Sequence, residues 1–365
     1  MTQANADVLA EVRGQVGFIT LNRPKAINAL SLGMVRDLLA QLLAWKDDPQ
    51  VLAVAIRGSS KEGVFGHFCA GGDIRFLHQA GSTGDPQLED FFTEEYALNH
   101  LIFTYPKPYI AFMDGIVMGG GMGISQGASW RIVTEKTKMA MPETIIGLFP
   151  DVGGGYFLSR CPGAVGEWLA LTGDTIGADD AMAFKLADGY LPTAEQGTLW
   201  DALASQRFDN SDAVQAFVQT RTQTTAPGAV RDTAAIDRVF ALPTVHAIIA
   251  ALESDSSDWA QSTAAALRKR SPLMLFVVLE QIRRARGMGV ADDLRMERDM
   301  VRHCFYLRPG QSETVEGIRA LAVDKDHKPQ WNPARIEEVP DDLWRAFFVS
   351  PWPAHSHPLA ALVDA

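Results

Sequence analysis

Apolar positions in the first half of the chain follow two alternating rhythms. Gly17-Phe-Ile-Thr-Leu-Asn22 is rich in β-favouring residues and stops at Arg23-Pro24, which predicts a strand. Met34 to Trp45 repeats apolar residues at helical spacing, and Val51-Leu-Ala-Val-Ala-Ile56 is a continuous apolar run. Continuous rather than alternating apolarity predicts a strand covered on both faces. Glycines at 63, 66, 71 and 72 predict a loop, and Asp73 is an acid placed to cap the helix that follows. Leu88 to Phe103 reads as a further helix, ended by Pro106 and Pro108. Tyr109-Ile-Ala-Phe-Met113 predicts another apolar strand, and a Gly-dense stretch at 115–127 leads to a β segment near Arg131-Ile-Val-Thr134.

This alternation predicts an α/β layered core over residues 1–195. The pattern then changes. Residues 196–240 are helical but polar, with a Thr/Ala-rich stretch at 219–235 that reads as a flexible connection. Ala247 to Leu321 keeps helical spacing, with Pro272 and Pro309 as breakers, so 196–345 is expected to form a helical region. Residues 346–365, around Ser350-Pro-Trp-Pro-Ala-His-Ser-His-Pro358, predict an extended Pro-rich tail.

Composition narrows the functional classes. The 365 residues are 47% hydrophobic and 21% charged, enough to bury a core without staples. Lys plus Arg is 33 against 44 Asp plus Glu, a net charge of -11 with no basic run, which argues against nucleic acid as the main partner. Cys69, Cys161 and Cys304 are widely spaced and odd in number, so no disulfide framework or zinc ribbon is expected. The first fourteen residues carry Asp7, Glu11 and Arg13 without a basic segment leading into an apolar one. No run approaches the ~18 apolar residues that span a bilayer. These features predict a cytoplasmic protein with no membrane partner.

The densest chemical signal is Met113-Asp-Gly-Ile-Val-Met-Gly-Gly-Gly-Met-Gly123. Glycines after an apolar strand leave backbone N–H groups unshielded, and a helix beginning there offers unpaired N–H donors to developing negative charge. Phe68-Cys-Ala-Gly-Gly-Asp73 is a second such turn, so the two together could supply an oxyanion hole or could simply be tight loops. A dinucleotide fingerprint fails, since counting from Gly119 its third glycine would fall on Ile124, and no P-loop pattern occurs. Gly123-Ile-Ser-Gln-Gly127 matches the serine-hydrolase elbow, but Ser125 would already lie about a turn inside the helix.

Glu143 and Asp151 lie among Met, Ile, Leu and Phe, eight residues apart, about 12 Å if helical. Gly147 and Pro150 argue for a fold-back that brings both carboxyls to one cleft, with two separate loop caps as the alternative. A carboxyl in apolar surroundings has a raised pKa, which suits acid–base work near neutral pH. The eight histidines are scattered, and His355-x-His357 lacks an evident third ligand, so no metal site is predicted.

These residues together resemble the enoyl-CoA hydratase/isomerase (crotonase) superfamily, and within it the 3-hydroxyisobutyryl-CoA hydrolase branch. The resemblance is carried by Phe68-Cys-Ala-Gly-Gly-Asp-Ile74, Lys107-Pro-Tyr-Ile-Ala111, Gly119-Gly-Gly121, Met141-Pro-Glu143 and Phe149-Pro-Asp-Val-Gly-Gly-Gly155. It extends to Thr93-Glu-Glu-Tyr96, Asp324-Lys-Asp-His-Lys-Pro329 and Trp331-Asn-Pro333, covering about residues 14–335. It implies a spiral of ββα units with a helical C-terminal region, consistent with the pattern above. It also implies an oxyanion hole from the N–H groups of Gly72 and Gly120, a catalytic glutamate at Glu143 and a second carboxylate at Asp151. Substrate contacts are implied at Glu95 and Gly119. CoA contacts are implied at Arg23, Lys25, Ala26, Ala70, Asp73 and Ile74, with Asn22 to Asn28 as the nucleotide-holding loop.

One departure separates the branches. Hydratases of the superfamily use two glutamates, the first of them three residues after the oxyanion glycine, where this chain has Gly123. Hydration of a double bond is therefore disfavoured. The expected reaction is hydrolysis of a short β-hydroxyacyl-CoA, 3-hydroxyisobutyryl-CoA first among them, with no metal or redox cofactor and CoA as part of the substrate. By family implication this would serve valine breakdown. Glu143 would activate water or attack to form a transient anhydride, while Asp151 would hold the substrate hydroxyl or manage the thiolate's proton. Isomerase or hydratase chemistry on the same fold, non-catalytic acyl-CoA binding, and a Ser125 hydrolase are the alternatives. The resemblance also implies a trimer or hexamer.

Overall fold

A computed structural model describes residues 6–61 and 65–364. Gly63 of the expected Gly-rich loop, and the first five residues of the segment read for targeting, lie outside these. The chain opens with an antiparallel hairpin, β1 (Val8–Arg13) and β2 (Val16–Leu21), and continues through β3 (Ala53–Gly58), β4 (Tyr109–Met113), β5 (Ile116–Met118), β6 (Trp130–Val133), β7 (Lys138–Ala140) and β8 (Gly189–Tyr190). One sheet has the order β1-β2-β3-β4-β6-β8, and from β2 onward every neighbour is parallel. β5 and β7 pair separately, also in parallel.

The ββα spiral is visible in these pairings. Each turn leaves the large sheet, passes through a second column of bridges, and returns through a helix. That column links Cys69 to Val117, Val117 to Met139 and Met139 to Ile176, with Leu30 to Gly72 beside it. The predicted strand at Tyr109–Met113 matches β4 end to end, and all five of its residues are buried. Successive side chains of a strand point to opposite faces. Accordingly Tyr109, Ala111 and Met113 join the main core, while Ile110 and Phe112 join a second apolar cluster with Phe18, Trp200 and Val214.

The helices between strands are α1 (Leu32–Lys46), α2 (Ile74–Thr83), α3 (Gln87–Phe103), α4 (Gly120–Gln126), α5 (Gly154–Leu158), α6 (Val165–Thr172) and α7 (Ala178–Ala183). Asp73 caps α2 as predicted, its carboxylate accepting from Phe76 N at 3.4 Å. The helices Gln196–Ser205 and Ser211–Gln219 close the second face of the sheet through Leu199, Trp200, Leu203, Val214 and Val218. Core and helical region thus share one apolar interior across residue 195. Pro272 is the first residue of the helix Pro272–Ala285, where its missing N–H costs nothing.

The tail corrects its expectation. Residues 346–364 do not extend away but fold back on the helix Val290–Tyr306. Phe347 and Leu359 are buried, Asp364 accepts from Ala291 N at 2.9 Å, and Arg295 Nη1 donates to Leu362 O at 2.9 Å. Apolar Phe and Leu spaced among the prolines supply the burial that a solvated extended tail would forgo. Among the described residues no helix is long and apolar enough to cross a membrane.

Candidate active site

Two glycine turns face each other. The segment after His67 runs beside β5, with Cys69 N donating to Ile116 O and Met118 N to Cys69 O, both at 3.0 Å. Leu30 N donates to Gly71 O and Asp73 N to Leu30 O, so the Gly72 N–H between them points away from this pairing. On the facing side β5 is followed by Gly119, whose φ of +51° a β-carbon would strain. Gly120 opens α4, so its N–H is one of the four that a helix start leaves unpaired. Neither amide donates to any described residue.

Close approach explains the three consecutive glycines. A methyl group on Gly119 would stand 2.7 Å from Glu143 Oε1. One on Gly120 would stand 2.8 Å from Glu95 Oε1 and 3.3 Å from Gly72 N, and one on Gly121 only 2.4 Å from Cys69 O. The two amides and two carboxyls therefore border one space. That space belongs to a cavity of about 250 Å³, lined among others by Gly72, Gly120, Glu95, Glu143 and Asp151.

Glu143 opens a short 3-10 turn, Glu143–Ile146, which Gly147 ends in the left-handed region at φ +69°. The fold-back expected from Gly147 and Pro150 is thus present. Glu143 is buried, its Oε2 has no hydrogen-bond partner, and burial followed by repulsion from Asp151 holds its pKa well above the usual carboxylate range. Asp151 is also buried but accepts from the Tyr96 hydroxyl at 2.9 Å. Burial pushes its pKa up to about 6, against the opposing hydrogen bond from Tyr96. Glu95 comes from α3, one residue before Tyr96; its Oε1 is unpaired, and burial and then Asp151 raise its pKa well above the ordinary value.

Asp151 stands on a strained turn. Val152 has φ +56°, a region that a β-branched residue adopts only when its surroundings impose it. The imposing groups come from two C-terminal helices. Gln281 Nε2 donates to Pro150 O at 2.6 Å. Glu297 accepts from Gly153 N at 2.7 Å and Gly155 N at 2.9 Å, and Asp293 accepts from Tyr156 N at 2.8 Å. Two carboxyls thus accept from the amides at the N-terminus of α5, although burial raises the pKa of both. Val152 in turn fills the space beside Gly123, where a methyl group would lie 2.6 Å from Val152 Cβ and 2.9 Å from Asn99 Nδ2. No second acid can project from position 123.

The other residues singled out from sequence are dispersed. Ala70 and Ile74 line the cavity with Gly119, but Arg23, Lys25, Ala26 and Asp73 do not. Arg23 Nη2 lies 2.8 Å from Asp73 Oδ2, so each partly satisfies the other, while Lys25 is exposed. Within Thr93-Glu-Glu-Tyr96, Glu94 pairs with Arg36 outside the cavity, at 2.6 Å. Ser125 is fully buried inside α4 and donates to Gly121 O at 2.8 Å, which leaves no nucleophile for the elbow reading. His357 lies 3.3 Å from Asp299 and stacks edge-on with Trp352, and His355 is exposed. No group of three potential metal-ligating side chains occurs among the described residues.

Sequence reasoning missed Tyr96, Val152, Gln281, Asp293, Glu297 and the cavity wall residue Leu321. For Asp293 and Glu297 a signal was present: two acids four residues apart at apolar-face positions of a helix are costly to bury without a task. Leu321 sits in a π-helical turn, Arg319–Val323, tied by Arg319 to Asp324 and Asp326 at 2.6 and 2.8 Å. The segment after 324 therefore anchors one cavity wall.

The family description "Enoyl-CoA hydratase/isomerase" matches residues 16–348. A Gallus gallus protein named "3-hydroxyisobutyryl-CoA hydrolase, mitochondrial" is 39% identical over 350 residues, 94% of this chain and 88% of that one. The Arabidopsis thaliana "3-hydroxyisobutyryl-CoA hydrolase 1" is 39% identical over 356 residues, 94% of this chain and 92% of its own. A solved structure titled as a carnitinyl-CoA dehydratase from Mycobacterium thermoresistibile superposes with a TM-score of 0.87 at 39% identity, covering 96% of this chain and 98% of that one. Another, titled as an enoyl-CoA hydratase from Rhodobacter sphaeroides 2.4.1, gives 0.82 at 35% identity, covering 95% and 98%.

Proposed function

The chain belongs to the enoyl-CoA hydratase/isomerase family, and from that premise we propose that it hydrolyses 3-hydroxyisobutyryl-CoA to 3-hydroxyisobutyrate and CoA. The carrying observation is the convergence of the Gly72 and Gly120 amides with the Glu143 carboxyl on one buried space. The names of relatives near 39% identity support the same substrate.

In this reading the thioester oxygen sits between the two amide N–H groups. Glu143, ionised, takes a proton from a water molecule as the water oxygen bonds to the carbonyl carbon, or bonds to that carbon itself. The π pair moves onto oxygen, where the two donors stabilise it. The pair then returns and the C–S bond breaks. On the base route the thiolate leaves with the proton that Glu143 had taken. On the nucleophilic route the thiolate leaves first, water then cleaves the resulting anhydride to free the Glu143 carboxylate and the hydroxy acid, and the water's proton goes to the thiolate. Asp151, steadied by Tyr96, accepts the substrate's hydroxyl. Ala70 and Ile74 flank the entering pantetheine arm, while Arg23, Lys25, Ala26 and Asp73 form the outer contact for the CoA nucleotide. The cavity of about 250 Å³ lies below the ~300–1,000 Å³ of drug-sized sites, which favours a short acyl group.

The titles of the two solved structures raise hydration as a rival. The closed space at Gly123 weighs against it, because water addition across a double bond draws on two carboxylates and one of them has no place here. Thiol release from 3-hydroxyisobutyryl-CoA, 3-hydroxypropionyl-CoA and isobutyryl-CoA tests the reading. The hydroxylated substrates should exceed isobutyryl-CoA by about tenfold or more in kcat/KM. Equal rates on all three would remove the hydroxyl from the account.

A further inference from the structure

Glu95 stands beside the paired amides. The point 2.8 Å from its Oε1, where a methyl group on Gly120 would sit, is also 3.3 Å from Gly72 N. The Glu95 carboxyl is buried and accepts no hydrogen bond from any described residue. No Lys, Arg or His lines the cavity. The titratable groups that bear on Glu95 are Asp151 and Glu143 across the cavity, Tyr96 on its own helix and the Cys69 thiol on the facing turn, with Glu297 acting behind Asp151 and Tyr96. None of these supplies positive charge.

Three buried carboxyls that share one cavity without a cation do not all ionise together. Asp151 has the Tyr96 hydroxyl and Glu143 has help from its own backbone amide, whereas Glu95 has no such support. Glu95 is therefore the least supported of the three as an anion. An anionic Glu95 would oppose the oxygen that the two glycine amides are placed to stabilise, while a protonated one adds an O–H donor beside them. A carboxylic acid kept neutral by an apolar site is a known kind of oxyanion donor.

We propose, resting on the hydrolase reading above, that Glu95 works as a neutral acid and gives the thioester oxygen a third hydrogen bond as that oxygen gains charge. The proton stays on Glu95 throughout; the carbonyl pair moves onto oxygen and back while the C–O bond forms and the C–S bond breaks.

The test follows thiol release from mildly acid to alkaline pH in wild type, Glu95→Gln and Glu95→Leu, beside the infrared carboxyl band of the intact protein at neutral pH. A protonated-carboxyl band should vanish in Glu95→Gln. The kcat should fall about tenfold in Glu95→Gln, which keeps an N–H donor, and about 10²–10³-fold in Glu95→Leu, with KM little changed. Wild-type activity should decline at alkaline pH, and Glu95→Gln should lack that decline because an amide does not ionise.

A Glu95→Gln loss as deep as that of Glu95→Leu, or a neutral-pH spectrum in which Glu95 is ionised, would overturn the proposal. So would a loss confined to KM for hydroxylated substrates. The infrared band and the wild-type pH profile need no variant to fold. If wild type released no thiol while the Glu95 band was present and shifted on binding 3-hydroxyisobutyryl-CoA, the donor role would stand and the hydrolase reading would fall.

Discussion

The Tyr96 hydroxyl donates to Asp151 Oδ2 at 2.9 Å, and both side chains are buried. This bond makes Asp151 the best-supported charge of the three cavity carboxyls, yet burial still lifts its pKa from 3.8 to about 6. The folded state therefore holds a proton on Asp151 that the unfolded chain gives up. Its contribution to stability is complete below the unfolded value and is lost as pH rises through the folded one. Asp151→Asn should gain stability relative to wild type between these two values and level off above, by on the order of 3 kcal/mol. Urea unfolding at several pH values checks this; a difference independent of pH would contradict it.

A side chain at position 123 and the Val152 side chain exclude one another. Gly123→Ala places a methyl 2.6 Å from Val152 Cβ, and Val152 carries Asp151 on a strained backbone. The substitution should lower stability by about 1–3 kcal/mol and reduce kcat more than KM, read from melting curves and steady-state rates. Gly123→Glu should not acquire crotonyl-CoA hydration. A Gly123→Glu variant with wild-type melting and measurable hydration would refute the packing argument.

Ser125→Ala should retain wild-type thiol release within about twofold, since the hydroxyl serves only two carbonyls of its own helix. A fluorophosphonate probe should leave the protein unlabelled. Labelling at Ser125 accompanied by loss of activity would instead support the elbow.

The two routes through Glu143 separate by isotope. A single turnover in ¹⁸O water places label directly in the product acid if Glu143 acts as base. If Glu143 attacks first, water opening the anhydride at the enzyme carbonyl leaves label in the protein, and mass spectrometry of the peptide holding Glu143 detects it. Label in the peptide establishes the nucleophilic route, and an unlabelled peptide excludes an anhydride opened at the enzyme carbonyl.

Much of this site is legible before the fold is known, for local reasons. β4 is continuous in apolarity because both its faces are covered, and Gly147 with Pro150 signals the turn that brings Glu143 and Asp151 together. The glycines at 119–121 announce close approach, although the groups that approach them come from α3 and the turn at 143–146. What stays illegible depends on long-range contacts. Tyr96 meets Asp151 across 55 positions, and Glu297 reaches Gly153 across 144. No local pattern specifies such partners. The tail misleads because its prolines suggest extension, while Phe347 and Leu359 determine where it folds.

In the proposed reaction Glu143 catalyses thioester hydrolysis. Free-thiol release from 3-hydroxyisobutyryl-CoA, measured for wild type and Glu143→Gln with crotonyl-CoA absorbance followed in parallel, tests it most directly. Wild type should release thiol rapidly, Glu143→Gln should be about 10²–10⁴-fold slower, and the crotonyl-CoA signal should stay unchanged. Full activity in Glu143→Gln, or an enoyl signal that changes while no thiol appears, would contradict it.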